Sequence, residues 1–260
     1  MRYGIRFGFA FALGLALVVV AFIGTGCAKS PPYSPWRVDQ QQFHQTIKTI
    51  ALAPITLPES LDDPDAVRAE FESLIEAKLR EGGLVIVPPE EVGEIWDREM
   101  DAVGGFYDPA TGKRDEAKYH TVRQNTLSEL RETCRADAVM WTFIQVVEAE
   151  WSGTTATWDG TTDSVKSRGR QMKEALPFAM MGVSVSYSGS VGALSLIVTV
   201  EDCHDTVLYN NRGGIQVIAR FLNGDPIPVP ASEILTSAER NAASVDIALN
   251  PLIGKSPPED

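Results

Sequence analysis

The sequence predicts one mixed α/β domain, in which a single mixed β-sheet begins with a βαβ unit and carries helices packed on it. Three observations predict this fold: a short β-branched apolar run at residues 47–55, an amphipathic helical stripe after it, and a second apolar run at residues 84–87. A strand, a helix and a strand in this order favour parallel strands joined by a right-handed crossover.

The first helix has the strongest pattern in the chain. Asp63 is a favourable N-cap residue, and Pro64 suits the first helical position. An apolar stripe at helical spacing follows it, formed by Val67, Phe71, Leu74, Ile75 and Leu79. We therefore expect Leu74 and Ile75 in the core, whereas Glu72 falls outside the stripe and is expected at the surface.

The later elements follow the same two periodicities. Residues 138–147 are apolar on both alternating faces and predict a central strand, while residues 153–192 fit no single pattern. Further helices are expected to start at Pro88, to span residues 116–135 and to span residues 232–249. The remaining strands are expected at residues 193–200 and, after a turn and with a bulge, at residues 206–219.

An export signal precedes the domain. Arg2 and Arg6 are followed by an apolar stretch at residues 7–23 and then by small residues. Thr25-Gly26-Cys27 matches the end of a lipobox, so we predict a signal peptide over residues 1–26 and a diacylglyceryl group on Cys27. Two alternatives remain: cleavage after Ala28 by ordinary signal peptidase, and retention of the segment as an uncleaved anchor.

The residues after Cys27 indicate location and a tether. Ala28, rather than an aspartate, follows the cysteine, and in Gram-negative lipoproteins this favours transfer to the outer membrane, facing the periplasm. Residues 29–45 are polar and contain prolines, as flexible linkers do. We therefore predict a lipidated tether over residues 27–46 and a single α/β domain over residues 47–255.

The charge balance excludes one class of partner. The chain has 23 basic and 35 acidic residues, a formal net charge of -12, and the signal segment removes only Arg2 and Arg6. A chain this acidic is unsuited to nucleic acid, and its overall charge gives no electrostatic attraction to anionic headgroups.

Two cysteines besides Cys27 are available for pairing in an oxidising compartment. Cys134 precedes the predicted central strand, and Cys203 follows the strand at residues 193–200. If the two strands are antiparallel neighbours, both thiols approach the same edge of the sheet, and we expect a disulfide. The alternative is two buried free thiols that act as small hydrophobic groups.

The chain lacks the motifs that usually mark catalysis on an α/β sheet, namely a phosphate-binding glycine-rich loop and a nucleophile elbow. His44, His120 and His204 are its only histidines. His204 lies among acidic residues, but a hairpin turn explains that composition better than a metal site. We therefore predict no catalytic residue, no cofactor and no metal ligand.

Two segments are candidates for contact with a protein partner. Phe106, Tyr107 and Asp108 lie in a long loop, where recognition residues are often found, although the two rings could instead pack onto the domain. Phe178 and Met181 could form an exposed contact surface, although core packing is the commoner role for such residues.

Several segments of this chain resemble a group of envelope proteins. They are IKTIALAPI, AVRAEFESLIEAKLREGG leading into LVIVPPEEV, ADAVMWTFI, LIVTVEDCHDTVLYNN and SEILTSAERNAA. Together they resemble the α/β domain of the curli-secretion lipoprotein CsgG, the N-terminal domain of TolB and the synthase-activator lipoprotein LpoB. The likeness covers most of residues 47–250.

The resemblance implies a protein that binds another envelope component or assembles into a complex, which includes a homo-oligomer, rather than an enzyme. Two other functions stay open. One is an envelope hydrolase or metal-dependent enzyme with an unrecognised site. The other is a secretion-channel component, which would require residues 153–192 to form paired amphipathic strands.

Overall fold

The computed structural model describes residues 33–59, 61–166, 188–222 and 225–254. The predicted signal peptide and Cys27 lie outside the described residues, as do Phe178 and Met181. The described helices are α1 (Gln40–Thr46), α2 (Pro64–Glu81), α3 (Pro89–Ala102), α4 (Glu116–Glu132) and α5 (Ala238–Leu249). None of them is long and apolar enough to cross a membrane.

Seven strands form the main sheet, which is mixed, so the predicted α/β fold is confirmed. They are β1 (Thr49–Leu52), β2 (Val85–Val87), β3 (Ala138–Ser152), β4 (Thr155–Trp158), β5 (Thr161–Ser164), β6 (Ser188–Asp202) and β7 (Val207–Val217). A separate hairpin pairs β8 (Ala219–Leu222) with β9 (Asp225–Pro228).

The long strand β3 organises the sheet. Its first three residues, 138–140, pair in parallel with β1, which is in turn parallel to β2, as the βαβ pattern predicts. Along its whole length β3 is antiparallel to β6, and β6 is antiparallel to β7. The last residues of β3 turn back into β4 and β5, so the sheet branches at this end.

Three apolar cores pack on the sheet. The first lies on the face covered by α1, α2 and α5 and contains Phe71 and Leu196. The second lies on the opposite face under α3 and α4 and contains Val92 and Val139. The third, around Trp158, lies between the β4–β5 hairpin and the far ends of β3 and β6. Residues 153–166 therefore fold back onto the domain.

Helix α2 confirms most of its sequence pattern. The Asp63 side chain accepts a hydrogen bond from the Ala66 N–H at 3.1 Å, and Ile75 is fully buried. Leu74 is only partly buried, at the rim of the core. The surface prediction for Glu72 is wrong, because its carboxylate accepts the Ile55 N–H at 3.0 Å.

The predicted tether ends earlier than its composition indicates. Residues 35–46, which we call the strap, pack on the domain instead of forming a free linker. Trp36 forms a β-bridge with Tyr209, and the Arg37 N–H donates to the Leu208 carbonyl at 2.9 Å. Phe43, on α1, is 1% exposed within the first core. The burial of this one ring explains why a polar segment is held in place.

The C-terminal half confirms one expectation and corrects another. Strand β7 bulges, as predicted, at Leu208 and Ile215, which have no partner in β6 and lie on either side of residues 210–214. Helix α5 begins at Ala238, not at residue 232, because residues 231–233 form a 3₁₀ turn. A Cβ atom on Gly213 would lie 2.0 Å from the Ser244 carbonyl oxygen, so glycine here permits α5 to approach β7 closely.

Candidate interaction surface

One part of the sheet is left uncovered by the helices and hairpins that the structure describes. Pairing places Phe143, Ile197 and Arg212 in one row across β3, β6 and β7, all on the face that carries α3 and α4. Phe143 and Ile197 are half-buried, and Arg212 is exposed. We call this row and the neighbouring Trp141 and Thr199 the open face.

The open face lies between two covered regions of the same sheet surface. Towards the start of β3, Val139 is fully buried under α3 and α4. Towards its end, Ala149 and Ala193 are fully buried under the β4–β5 hairpin. The surface between these two regions combines the apolar Phe143 and Ile197 with the polar Thr199, Asn210 and Gln145 and the cationic Arg212.

An aromatic cluster borders the open face on the helical side. The Trp96 ring, on α3, packs edge-on against Trp141 with ring centroids 5.9 Å apart. It makes similar contacts with Phe106 at 6.1 Å and Tyr119 at 6.0 Å. Edge-to-face packing of this kind stabilises ring orientation beyond simple area burial. The cluster therefore holds Trp141 in a fixed position at the border.

A network of charged side chains also contacts Trp141 at this border. Arg123, on α4, contacts both Glu201 and Asp205, and the Trp141 indole N–H donates to the Glu201 carboxylate at 2.8 Å. Burial lowers the pKa of the Arg123 guanidinium, but the Asp205 and Glu201 carboxylates outweigh it, so the pKa is raised overall. The guanidinium also lies 5.1 Å from the centre of the Trp141 ring.

We expect Arg123→Met to lower the free energy of unfolding by roughly 1.5–3 kcal/mol, the range for hydrogen bonds to charged groups. The loss leaves Glu201 and Asp205 facing each other without a cation. The matched control is Arg98→Met, which breaks the exposed pair with Glu129 and should cost less than about 1 kcal/mol. Equal losses in urea unfolding would contradict a structural role for the network.

The three loop residues predicted to contact a partner, Phe106, Tyr107 and Asp108, lie in different environments. Phe106 is 6% exposed and joins the aromatic cluster, so its packing onto the domain is the correct alternative. Tyr107 is 59% exposed beside it. The Asp108 carboxylate accepts the N–H groups of Ala110 and Thr111, which lower its pKa, so Asp108 shapes the loop. Tyr107 and Asp108 therefore remain exposed, whereas Phe106 does not.

The expected disulfide is not formed, and both Cys134 and Cys203 are free thiols. Their strands do pair as expected, with Ala138 opposite Asp202. However, the Cys134 thiol donates to Glu91 at 3.2 Å, whereas the Cys203 thiol donates to the Ala136 carbonyl at 3.3 Å.

The pKa values of the two thiols are consistent with their remaining unpaired. Burial, together with the Glu91 carboxylate, raises the pKa of the Cys134 thiol to about 11. Burial also raises the pKa of the Cys203 thiol. Because the thiolate is the form that attacks a disulfide, both groups are poor nucleophiles at neutral pH.

The acidic turn between β6 and β7 has a structural role. The Asp202 carboxylate accepts the N–H groups of His204 and Thr206, both at 2.9 Å. The His204 side chain is exposed. Within the described ranges, no three side chains of the metal-ligating types converge on a common point.

Sequence reasoning missed most of the open face. Trp141 and Phe143 belong to a strand that is apolar on both faces and was expected to be central. This pattern predicts a strand that is covered on both faces. It does not indicate where the covering helices end. No protein-family model and no curated protein matches this chain.

Proposed function

We propose that this chain is an outer-membrane lipoprotein, lipidated at Cys27 and facing the periplasm, which binds another envelope protein through the open face. The observation that carries the binding role is a half-buried apolar row, Phe143 and Ile197, that ends in the exposed Arg212. The resemblance to envelope proteins that bind or assemble with others supports the same function.

The composition of the open face suits a protein partner. Aromatic residues and arginine are enriched in interface cores, and tryptophan, tyrosine and arginine dominate binding hot spots. Trp141, Phe143 and Arg212 lie together here, and the aromatic cluster and the charged network hold Trp141 in place. A preorganised surface loses little side-chain entropy on binding, which favours affinity.

The charge of the face indicates what the partner presents. Among the ion pairs of the described residues, none includes Arg212. An exposed cation beside an apolar row is complemented by a carboxylate next to an apolar side chain. We therefore expect the partner to contribute a segment that carries both groups.

The test is crosslinking and pull-down from intact cells with the lipid attached. Arg212→Glu should abolish capture of the partner, because it places like charges at the contact. The matched control is Arg80→Glu, since Arg80 lies on α2 beyond the opposite sheet face and is 61% exposed. Arg80→Glu also removes an ion pair with Glu76, so the folding of both variants is checked by circular dichroism before capture is compared. Equal capture by both variants would refute the open face as the binding surface.

A further inference from the structure

The ordered strap shortens the chain between the lipid and the domain. Trp36 is already bridged to β7, so only seven residues, 28–34, separate Cys27 from the docked chain. A fully extended chain spans at most about 3.6 Å per residue, so this connection reaches no more than roughly 25–30 Å. A free tether over residues 27–46 would reach more than twice as far.

The connection enters the domain at one end of its long axis. Strands β3 and β6 each contain 15 residues, which corresponds to roughly 45 Å at about 3.3 Å per residue. The strap packs beside Asp202 and Leu208. These two residues line a cavity of about 240 Å³ together with Gln42 and Phe43 of α1. Ser152 lies at the opposite end of β3, paired with Ser188.

The strap is close to neutral, although the chain as a whole is acidic. Its exposed helical residues are neutral, namely Gln40, Gln41, Gln42, Gln45 and Thr46. Residues 35–48 contain two basic residues and one acidic residue, Asp39, whose carboxylate accepts the Gln42 N–H at the helix start.

Three acidic residues at this end of the domain have partners within it, although hydrogen bonds from backbone N–H groups leave a carboxylate charged. The Asp137 carboxylate accepts the N–H groups of Lys48 and Thr49. The Asp202 carboxylate holds the β6–β7 turn, and Asp205 is paired with Arg123. The remainder of the chain carries the large acidic excess, which an anionic surface repels within about one Debye length, roughly 8–10 Å.

We propose that the outer surface of the strap lies against the phospholipid headgroups of the membrane that holds the lipid, with the domain's long axis directed away from it. This inference rests on lipidation at Cys27. Its two arguments are the short connection, which keeps the Asp202 end close to the membrane, and the strap's near-neutral surface, which anionic headgroups do not repel.

The test uses the full-length lipidated protein in vesicles of phosphatidylethanolamine and phosphatidylglycerol. A photo-crosslinking amino acid replaces Gln41 in one variant and Ser152 in a matched control, since both side chains are exposed. Phospholipid adducts are then measured by mass spectrometry. We expect adducts at position 41 and none at position 152. A flexible insertion of about 20 residues after Ser34 should cause loss of the adducts at position 41.

Two failures are distinguishable. An intact mass without lipid on Cys27 would overturn the proposed lipoprotein function, and this inference with it. A lipidated protein with no phospholipid adducts at position 41, or with equal adducts at both positions, would overturn the membrane-facing strap alone. Crosslinks from position 41 to protein instead of phospholipid would also overturn it.

Discussion

Phe43→Ala is expected to lower the free energy of unfolding by about 3–5 kcal/mol, the range for truncating a buried phenylalanine. The Phe43 ring is 1% exposed in the first core and packs edge-on against Trp36 at 5.1 Å. Its removal leaves a cavity under α1 and releases the strap from β7. Equilibrium unfolding in urea measures the loss.

The matched control for Phe43 lies on the same short helix. Gln41 is exposed, so Gln41→Ala should change stability by no more than about 0.5 kcal/mol. A composition-based tether over residues 27–46 makes the opposite prediction, with two equally small effects. That result would show that the strap does not belong to the folded domain.

Ile75→Ala is expected to cost about 2–5 kcal/mol, because Ile75 is fully buried between α2 and the sheet. Leu74→Ala should cost less, since Leu74 is only partly buried at the rim of the same core. Both losses are measured by urea unfolding with an unchanged slope, which would indicate that the unfolded state is unaffected.

Glu72 provides the informative comparison on the same helix. Glu72→Ala leaves the Ile55 N–H without its acceptor and should cost about 1–3 kcal/mol. Ser73→Ala, at an exposed neighbouring position, should stay within about 0.5 kcal/mol. A neutral Glu72→Ala would support the original surface prediction and contradict the hydrogen bond to the first strand.

The sequence predicted those elements whose signals are local. In α2 the N-cap Asp63, Pro64 and the apolar stripe act within a few turns, so the helix and its buried face could be read directly. The parallel pairing of β1 and β2 follows from the helix between them, because the crossover permits few alternatives.

Other features depend on contacts distant in sequence. A seven-residue helix with three adjacent glutamines has no amphipathic stripe, so apart from its N-cap Asp39, α1 is marked only by the pocket that Phe43 fills. The role of Glu72 depends on the Ile55 N–H, 17 residues away, and no periodicity indicates such a partner. These features belong to tertiary packing, which overrides local propensity.

The open face illustrates the same limit for function. The strand that contains Trp141 and Phe143 has apolar residues on both of its faces, which predicts that both faces are buried. Cover ends along this strand because α3 and α4 pack near its start and the β4–β5 hairpin near its end. The exposed Arg212 reaches the same row only through the register of β7 with β6.

The central claim, that this is a membrane-held envelope lipoprotein, is tested most directly by the fate of Cys27→Ser in fractionated cells. Several acyl chains hold a protein firmly on a membrane, whereas one chain holds it only marginally. We predict that the wild-type protein fractionates with membranes and carries the lipid mass on Cys27, while Cys27→Ser carries no lipid and is soluble in the periplasm. A serine variant that stays in the membrane fraction at its unprocessed size would contradict the claim and indicate an uncleaved anchor.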